Sequence, residues 1–242
     1  MTLYRDEAIV LRTHDLGEAD RIITMLTRRH GKVRAVAKGV RRTMSRFGAR
    51  LEPFAMVDVQ LYEGKSLDTV TQVETINPYG RTIARDYEAY TAASAIVETA
   101  DKLADEGDLD PAIYLLLMGA LNAMARRTHH PDLILNSFIL RSMAQSGWAL
   151  GVYQCAHCGA EGPHEAFNVQ AGGAVCQVCR PVGSSTPSIE TWQLMAALVS
   201  GDWNVADSAT AHARKSAAGY VAAYLQWHLE RKVRSLHLVS TA

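Results

Sequence analysis

Cys155-Ala-His-Cys158, seventeen intervening residues, and Cys176-Gln-Val-Cys179 constrain this chain more than any other stretch. Two Cys-x-x-Cys knuckles at that separation set four thiolates at the corners of one tetrahedron. This is the arrangement of a structural Zn²⁺, with no position left for a substrate water. The chain has four cysteines, and the cluster uses every one. Gly159 follows the first knuckle, where a tight turn around a metal favours a residue without Cβ. Gly162-Pro163 and Gly172-Gly173 punctuate the interval and leave room for a small hairpin or short loops. The competing chemistries are a redox disulfide pair and an iron–sulfur or rubredoxin-like iron site. His157 and His164 are substitute ligands that four cysteines make unnecessary. The expected cofactor is one structural Zn²⁺ on Cys155, Cys158, Cys176 and Cys179.

With no cysteine left for a disulfide, the chain suits a reducing compartment. Its start, Met1-Thr-Leu-Tyr-Arg-Asp-Glu7, is charged and lacks the apolar core of a secretion signal. The longest apolar run, Ile113–Met118, is far too short to span a bilayer. The expectation is a cytoplasmic protein with no membrane partner. Twenty-five Lys and Arg balance twenty-five Asp and Glu, so the placement of charge matters more than its total.

Five short β-like runs occupy the N-terminal third. They are Ala8–Thr13, Arg21–Thr27, Lys32–Lys38, Val57–Tyr62 and Leu67–Ile76, separated by turn signals such as Asp15-Leu-Gly17, Arg29-His-Gly31 and Gly64-Lys65. Five strands with one longer connection before the fourth predict an OB-type barrel, with an SH3-like barrel as the competitor.

The basic residues concentrate in this third. Arg28, Arg29, Lys32, Arg34, Lys38, Arg41, Arg42, Arg46 and Arg50 stand between positions 28 and 50 without one Asp or Glu. Period-two alternation puts Lys32, Arg34 and Lys38 on one face. A charge run is often only a solvated surface. This one is unbalanced in a neutral chain, carries Gly39, Gly48 and Phe47 as a candidate stacking ring, and lies on the third strand and the loop after it. OB folds bind oligonucleotides near that surface, and the planar guanidinium suits phosphate. Single-stranded nucleic acid is the favoured ligand.

After Pro78-Tyr-Gly80 the composition turns to Ala, Leu and Met. A stripe of Ile83, Tyr87, Tyr90 and Val97 predicts a helix with that face in the core. Asp110-Pro111 is a cap-plus-first-turn start, Pro131 opens another helix that Gly147 closes, and Thr186-Pro187 precedes a further one ended by Gly201. The last helix is expected over about His212 to Leu236, with Val221, Tyr224, Leu225 and Leu229 inward. The cysteine knuckles thus interrupt a helical bundle. The insertion, about 151–183, has too little apolar content to fold unaided, whereas metal ligation supplies on the order of 10 kcal/mol in comparable modules. A second basic cluster, Arg231, Lys232 and Arg234, ends the last helix. It reads either as helix-dipole chemistry or as a pocket for an acidic peptide tail.

No P-loop, nucleophile elbow or His-Glu-x-x-His occurs, and no carboxylate pair stands in a recognisable context. A binding protein rather than an enzyme is expected. The rival is a zinc-stabilised protein–protein scaffold with incidental DNA contact.

Gly17-Glu-Ala-Asp-Arg-Ile-Ile-Thr-Met-Leu-Thr27, Gly31, Val36-Ala-Lys-Gly-Val-Arg-Arg42, Ser45-Arg-Phe47 and Leu51-Glu-Pro-Phe54 resemble the bacterial DNA repair family RecO. The resemblance runs over essentially the whole chain, with the N-terminal string its specific part. It implies an α+β protein: an OB-fold five-stranded β-barrel (1–79), then an α-helical domain (80–242) carrying the zinc module. It also implies a recombination mediator in DNA repair. Such a protein binds single- and double-stranded DNA, anneals complementary strands without ATP and acts at the nucleoid on strands coated by single-strand binding protein. With RecR, and in some pathways RecF, it helps load RecA. Carried onto matching positions, Lys38, Arg41, Arg42 and Arg46 are assigned to DNA, while Arg28, Arg29 and Arg34 follow from charge alone. The resemblance places the contact with the acidic tail of single-strand binding protein in the helical domain. Arg231, Lys232 and Arg234 are the sequence's candidates for it.

Overall fold

A computed structural model describes residues 2–45, 47–229 and 233–239. Arg46, Arg231 and Lys232 lie outside the described residues.

Five strands, β1 (Leu3–Leu16), β2 (Asp20–Thr27), β3 (Gly31–Ala37), β4 (Ala55–Tyr62) and β5 (Asp68–Pro78), close into a barrel in the order β1-β2-β3-β5-β4. β1 pairs antiparallel with both β2 and β4, and the barrel closes through a short parallel contact of β3 with β5. This is the five-stranded closure of an OB fold. Every strand expected from alternation is present, and β1 is longer than its apolar run suggests.

The run Ala8-Ile-Val-Leu11 does not alternate because both faces of β1 are covered. Ala8 and Val10 fill the barrel with Ile23, Met25, Val57 and Val59. Ile9 and Leu11 point outward into a second core shared with the helices. A register shift between Val10 and Arg12 bends the strand as closure requires. Phe47 is 1% exposed and packs with Leu51 inside the barrel. This corrects its reading as a stacking ring: the open end of a small barrel needs an apolar plug, and the 3₁₀ turn Gly48–Leu51 supplies one.

The helices are α1 (Tyr79–Ile83), α2 (Tyr87–Leu103), α3 (Pro111–Arg126), α4 (Pro131–Gln145), α5 (Ile189–Ser200), α6 (Trp203–Ser208), α7 (Ala211–His228) and α8 (Leu236–Val239). The Asp110 side chain accepts from the amides of Ala112 and Ile113, with Pro111 in the first turn. Every residue from Leu133 to Leu140 is buried, so α4 is the central helix.

Two helical expectations change. The chain breaks between α1 and α2, where extended Asp86 caps α2 by accepting from Ala89 N. Tyr87 and Tyr90 then face solvent, and α2 buries Ala89, Ala92, Ala93, Ile96 and Ala100 instead. Small residues let the helices approach closely. The last long helix ends at His228, and short α8 lies back on α2. There the Glu98 carboxylate accepts from the amides of Arg234 and Ser235, each at 2.8 Å.

Between α4 and α5 the insertion forms a hairpin of β6 (Ala166–Asn168) and β7 (Gly173–Val175).

Candidate metal centre and nucleic-acid interface

The ligand atoms of Cys155, Cys158, Cys176 and Cys179 all lie within 4.8 Å of one another. Cys158 Sγ and Cys176 Sγ are 3.8 Å apart. A tetrahedron with metal–sulfur bonds of about 2.3 Å has edges of about 3.8 Å, so the four-thiol set fits one ion. Turn geometry assembles it. Gly159 N donates to Cys155 O at 2.8 Å and Gly159 takes a positive φ of 73°, which folds the first knuckle back on itself. Gly173 has φ 139°, and a Cβ there would stand 2.2 Å from Gly151 O, so only glycine lets the hairpin close against the chain entering the module.

The electrostatics also call for a cation. The amide of Cys176, 3.4 Å from Cys155 Sγ, together with the amides of Cys158 and His157, draws the Cys155 thiol down to about 6. Hydrogen bonding with Cys158 and Cys176, with burial adding to it, pushes Cys179 up to about 12. Four thiolates cannot form in so small a volume without a positive charge among them. Cys155, Ala166 and Val175 are the buried residues of the module's own core, far too few to hold it alone.

The basic residues of the barrel divide into two sets. Arg28 pairs with Glu7 at 3.1 Å, and Arg29 with the 1%-exposed side chain of Asp6 at 3.2 Å. Arg34 pairs with Glu106 at 3.5 Å. Lys32 donates to Asp101 O at 2.7 Å. The outward face of β3 is therefore turned to the helical domain, where Asp101 of α2 and Glu106 after it neutralise Lys32 and Arg34. Arg28 and Arg29 sit in the β2–β3 turn, a full strand from Lys38, which is about 20 Å at the usual rise per residue. The second set is the loop after β3. Lys38 and Arg42 are exposed, and among the described residues neither has an acidic partner. Arg41 shares Asp15 at 3.3 Å and donates to Gly17 O at 3.2 Å. Gly39, with φ 68° and its amide on Asp20 Oδ1 at 2.7 Å, sets the loop's turn.

Arg234, the described member of the C-terminal cluster, is exposed, with its amide committed to Glu98. Sequence reasoning missed Arg141. It is the one cation inside the apolar stretch Leu133-Ile-Leu-Asn-Ser-Phe-Ile-Leu-Arg-Ser-Met143, a signal that was there to read. It opens on a groove of 580 Å³ walled by Leu115, Leu116, Phe138, Val199 and Trp203. Among the described residues Arg141 has no acidic partner. No helix among the described residues is long and apolar enough to cross a membrane.

The fold and the thiol cluster define an OB-barrel protein with a fused helical domain and a four-cysteine metal-site geometry. Residues 1–79 match the family described as Recombination protein O N terminal, and residues 84–237 the one described as Recombination protein O C terminal. DNA repair protein RecO of Thermobifida fusca (strain YX) is 57% identical over 244 residues, covering 100% of each chain. The chain belongs to the RecO family.

Proposed function

We propose that this protein is a non-enzymatic recombination mediator in DNA repair, acting in the cytoplasm on nucleoid DNA. In this reading it binds single- and double-stranded DNA and anneals complementary strands without ATP. With RecR, and RecF where that pathway operates, it helps load RecA onto strands coated by single-strand binding protein. Family membership supports the repair role. The observation that carries the DNA surface is the contrast between Lys38 and Arg42, exposed without acidic partners among the described residues, and the ion-paired Arg28, Arg29 and Arg34.

Annealing two polyanions requires relief of phosphate repulsion. Lys38, Arg41 and Arg42 project from one loop at the end of the barrel and, with Arg46 assigned from the sequence alone, hold one strand by its phosphates and leave its bases free for a second. Three to four such contacts give a log–log salt slope of about −2 to −3 on single strands. The zinc identity rests on the donor set: four sulfurs with no open position are typical of structural Zn²⁺. Zinc would hold the insertion on the helical domain and take no part in strand exchange.

The acidic tail of single-strand binding protein is assigned to the Arg141 groove rather than to Arg231, Lys232 and Arg234. A guanidinium set among apolar walls, with no acidic partner among the described residues, complements the carboxylates of an acidic tail, and desolvation there strengthens the charge contact.

The decisive experiment is annealing of two complementary oligonucleotides, each coated with cognate single-strand binding protein, without ATP. Acceleration is expected. Annealing of naked strands alone would remove the mediator role, and failure on both would favour a zinc-stabilised scaffold.

A further inference from the structure

A cavity of 900 Å³ lies where the barrel meets the helices, and the DNA surface assigned above does not use it. Small residues, Gly48, Ala49 and Gly80 among them, line it together with Arg81 and Tyr90. Gly80 is small for a reason: a Cβ there would sit 3.0 Å from Pro53 O and 3.7 Å from the Phe54 ring. Phe54 itself has φ 70°, an uncommon conformation for an aromatic residue, fixed by its amide donating to Val10 O at 3.0 Å. That backbone turns the Phe54 ring into the core, where it meets Tyr90 edge-on at 5.7 Å. Tyr90 is thereby braced from behind and still 47% exposed.

The lining of the cavity carries two arginines, Arg50 and Arg81, and two glutamates, Glu52 and Glu74. Its acids are already drawn toward cations elsewhere, Glu52 to Arg21 at 2.9 Å and Glu74 to Arg5 at 3.9 Å. Arg81 is exposed and, among the described residues, has no acidic partner. The lip of the cavity is the 3₁₀ turn Gly48–Leu51, the far end of the loop that begins at Lys38 and Arg42. Arg81 and Tyr90 line the same cavity as that turn.

We propose that this groove holds a further stretch of single-stranded nucleic acid, with Arg81 on a phosphate and the Tyr90 ring under a base. The inference rests on the DNA-binding reading and extends it from one loop to a continuous path across the domain junction. A braced, exposed ring in one groove with a guanidinium that has no acidic partner among the described residues is the pairing that single-strand grooves use.

The test is binding of the full chain to fluorescein-labelled oligothymidylates, one of about 6 nucleotides, filling the loop alone, and one of about 30, exceeding the usual OB site. Arg81→Ala with Tyr90→Leu should weaken the long oligonucleotide roughly tenfold, leave the short one within about twofold, and make the salt slope shallower by about 0.7. Tyr90→Phe alone, which keeps the ring, should bind like the parent. Parental affinity and slope for the double variant, its thermal midpoint unchanged, would overturn the groove while Arg42→Ala still reports on the loop. A parent that binds neither length would instead bring down the DNA-binding reading itself. Loss of binding to a polyglutamate peptide, with DNA binding intact, would make the groove a protein-docking surface and reject the proposal.

Discussion

Lys32 donates to the backbone carbonyl of Asp101 at 2.7 Å and stands 3.6 Å from its carboxylate, so a cation at the start of β3 serves the joint between barrel and helices. The same carboxylate pairs with Arg12 of β1 at 2.8 Å. Asp101 thus ties two strands to α2, and both side chains of the Lys32 pair are about 85% buried. Nearby, a Cβ on Gly31 would stand 2.0 Å from Asp108 O, so the loop after α2 lies directly on the strand.

Lys32 and Lys38 are therefore expected to separate stability from binding. Lys32→Ala leaves Asp101 with Arg12 only and should cost about 2 kcal/mol of unfolding free energy, less than the loss of a whole buried pair. Its salt slope on single-stranded DNA should not change. Lys38→Ala should do the reverse, with an unchanged urea midpoint and a slope shallower by about 0.7. Urea titration and fluorescence anisotropy at several salt concentrations check both. A slope change in Lys32→Ala would return that residue to the DNA surface.

Metal removal should act locally. Trp192 of α5 donates toward Glu165 O at 3.4 Å and its ring lies 5.9 Å from Phe167, so it reports on the hairpin of the insertion. Chelation, or Cys158→Ser, should release about one zinc per chain and shift Trp192 emission to the red as the hairpin loosens. Binding to a short oligonucleotide should persist, because Lys38 and Arg42 lie on the barrel. Elemental analysis finding iron would reject zinc, and a metal-free chain with unaltered Trp192 emission would reject a bracing role.

Acid should free the C-terminal segment before it unfolds the chain. Burial opposes ionisation of Glu98. The Ser235 hydroxyl, the amides of Arg234 and Ser235, and Lys102 outweigh it and carry the carboxyl down to about 2 from its ordinary 4.5. A group with a depressed folded value contributes stability that is fully present above about 4.5 and lost as pH falls toward about 2. Amide exchange at Arg234 and Ser235 should accelerate, relative to the body of α4, as pH falls from about 4.5 to about 2. Glu98→Gln should show weak protection there already near neutral pH and little further change on acidification. Equal pH dependence in parent and variant would remove Glu98 from the docking of α8.

The parts of this structure that were legible in the sequence are those set by local chemistry. Alternation in Val57–Tyr62, the Asp110-Pro111 cap and the Cys-x-x-Cys spacing each specify their own geometry. The unread parts depend on which surfaces meet. Lys32, Arg34 and Lys38 look equivalent along the third strand read from the sequence, yet the helical domain contacts the first two, and the third stands exposed in the loop after β3. Phe47 has the composition of a stacking residue and the position of a barrel plug. Tyr90 was expected in a helical core and faces solvent, because the alanines of α2 do the packing. Arg141 was missed in the sequence, because it is the approach of α3, α5 and α6 that places it on an apolar groove.

That site gives the last prediction. The groove holds one described cation without an acidic partner, and Leu115 on its wall is 52% exposed, so charge and apolar contact should contribute separately. Arg141→Ala should weaken binding of the isolated acidic tail peptide of single-strand binding protein roughly tenfold to a hundredfold, as expected for a charge-assisted contact in a partly desolvated site. Leu115→Ser should cost less, about threefold to tenfold, and with weaker salt dependence. Both residues are at least partly accessible, so the thermal midpoint should hold. Naked-strand annealing should also be unaffected, because the groove is separate from the loop at Lys38 and Arg42, while annealing of coated strands should slow. Calorimetric titration of the peptide, set beside the two annealing rates, decides it: an unchanged peptide affinity in Arg141→Ala would send the tail back to the C-terminal cluster.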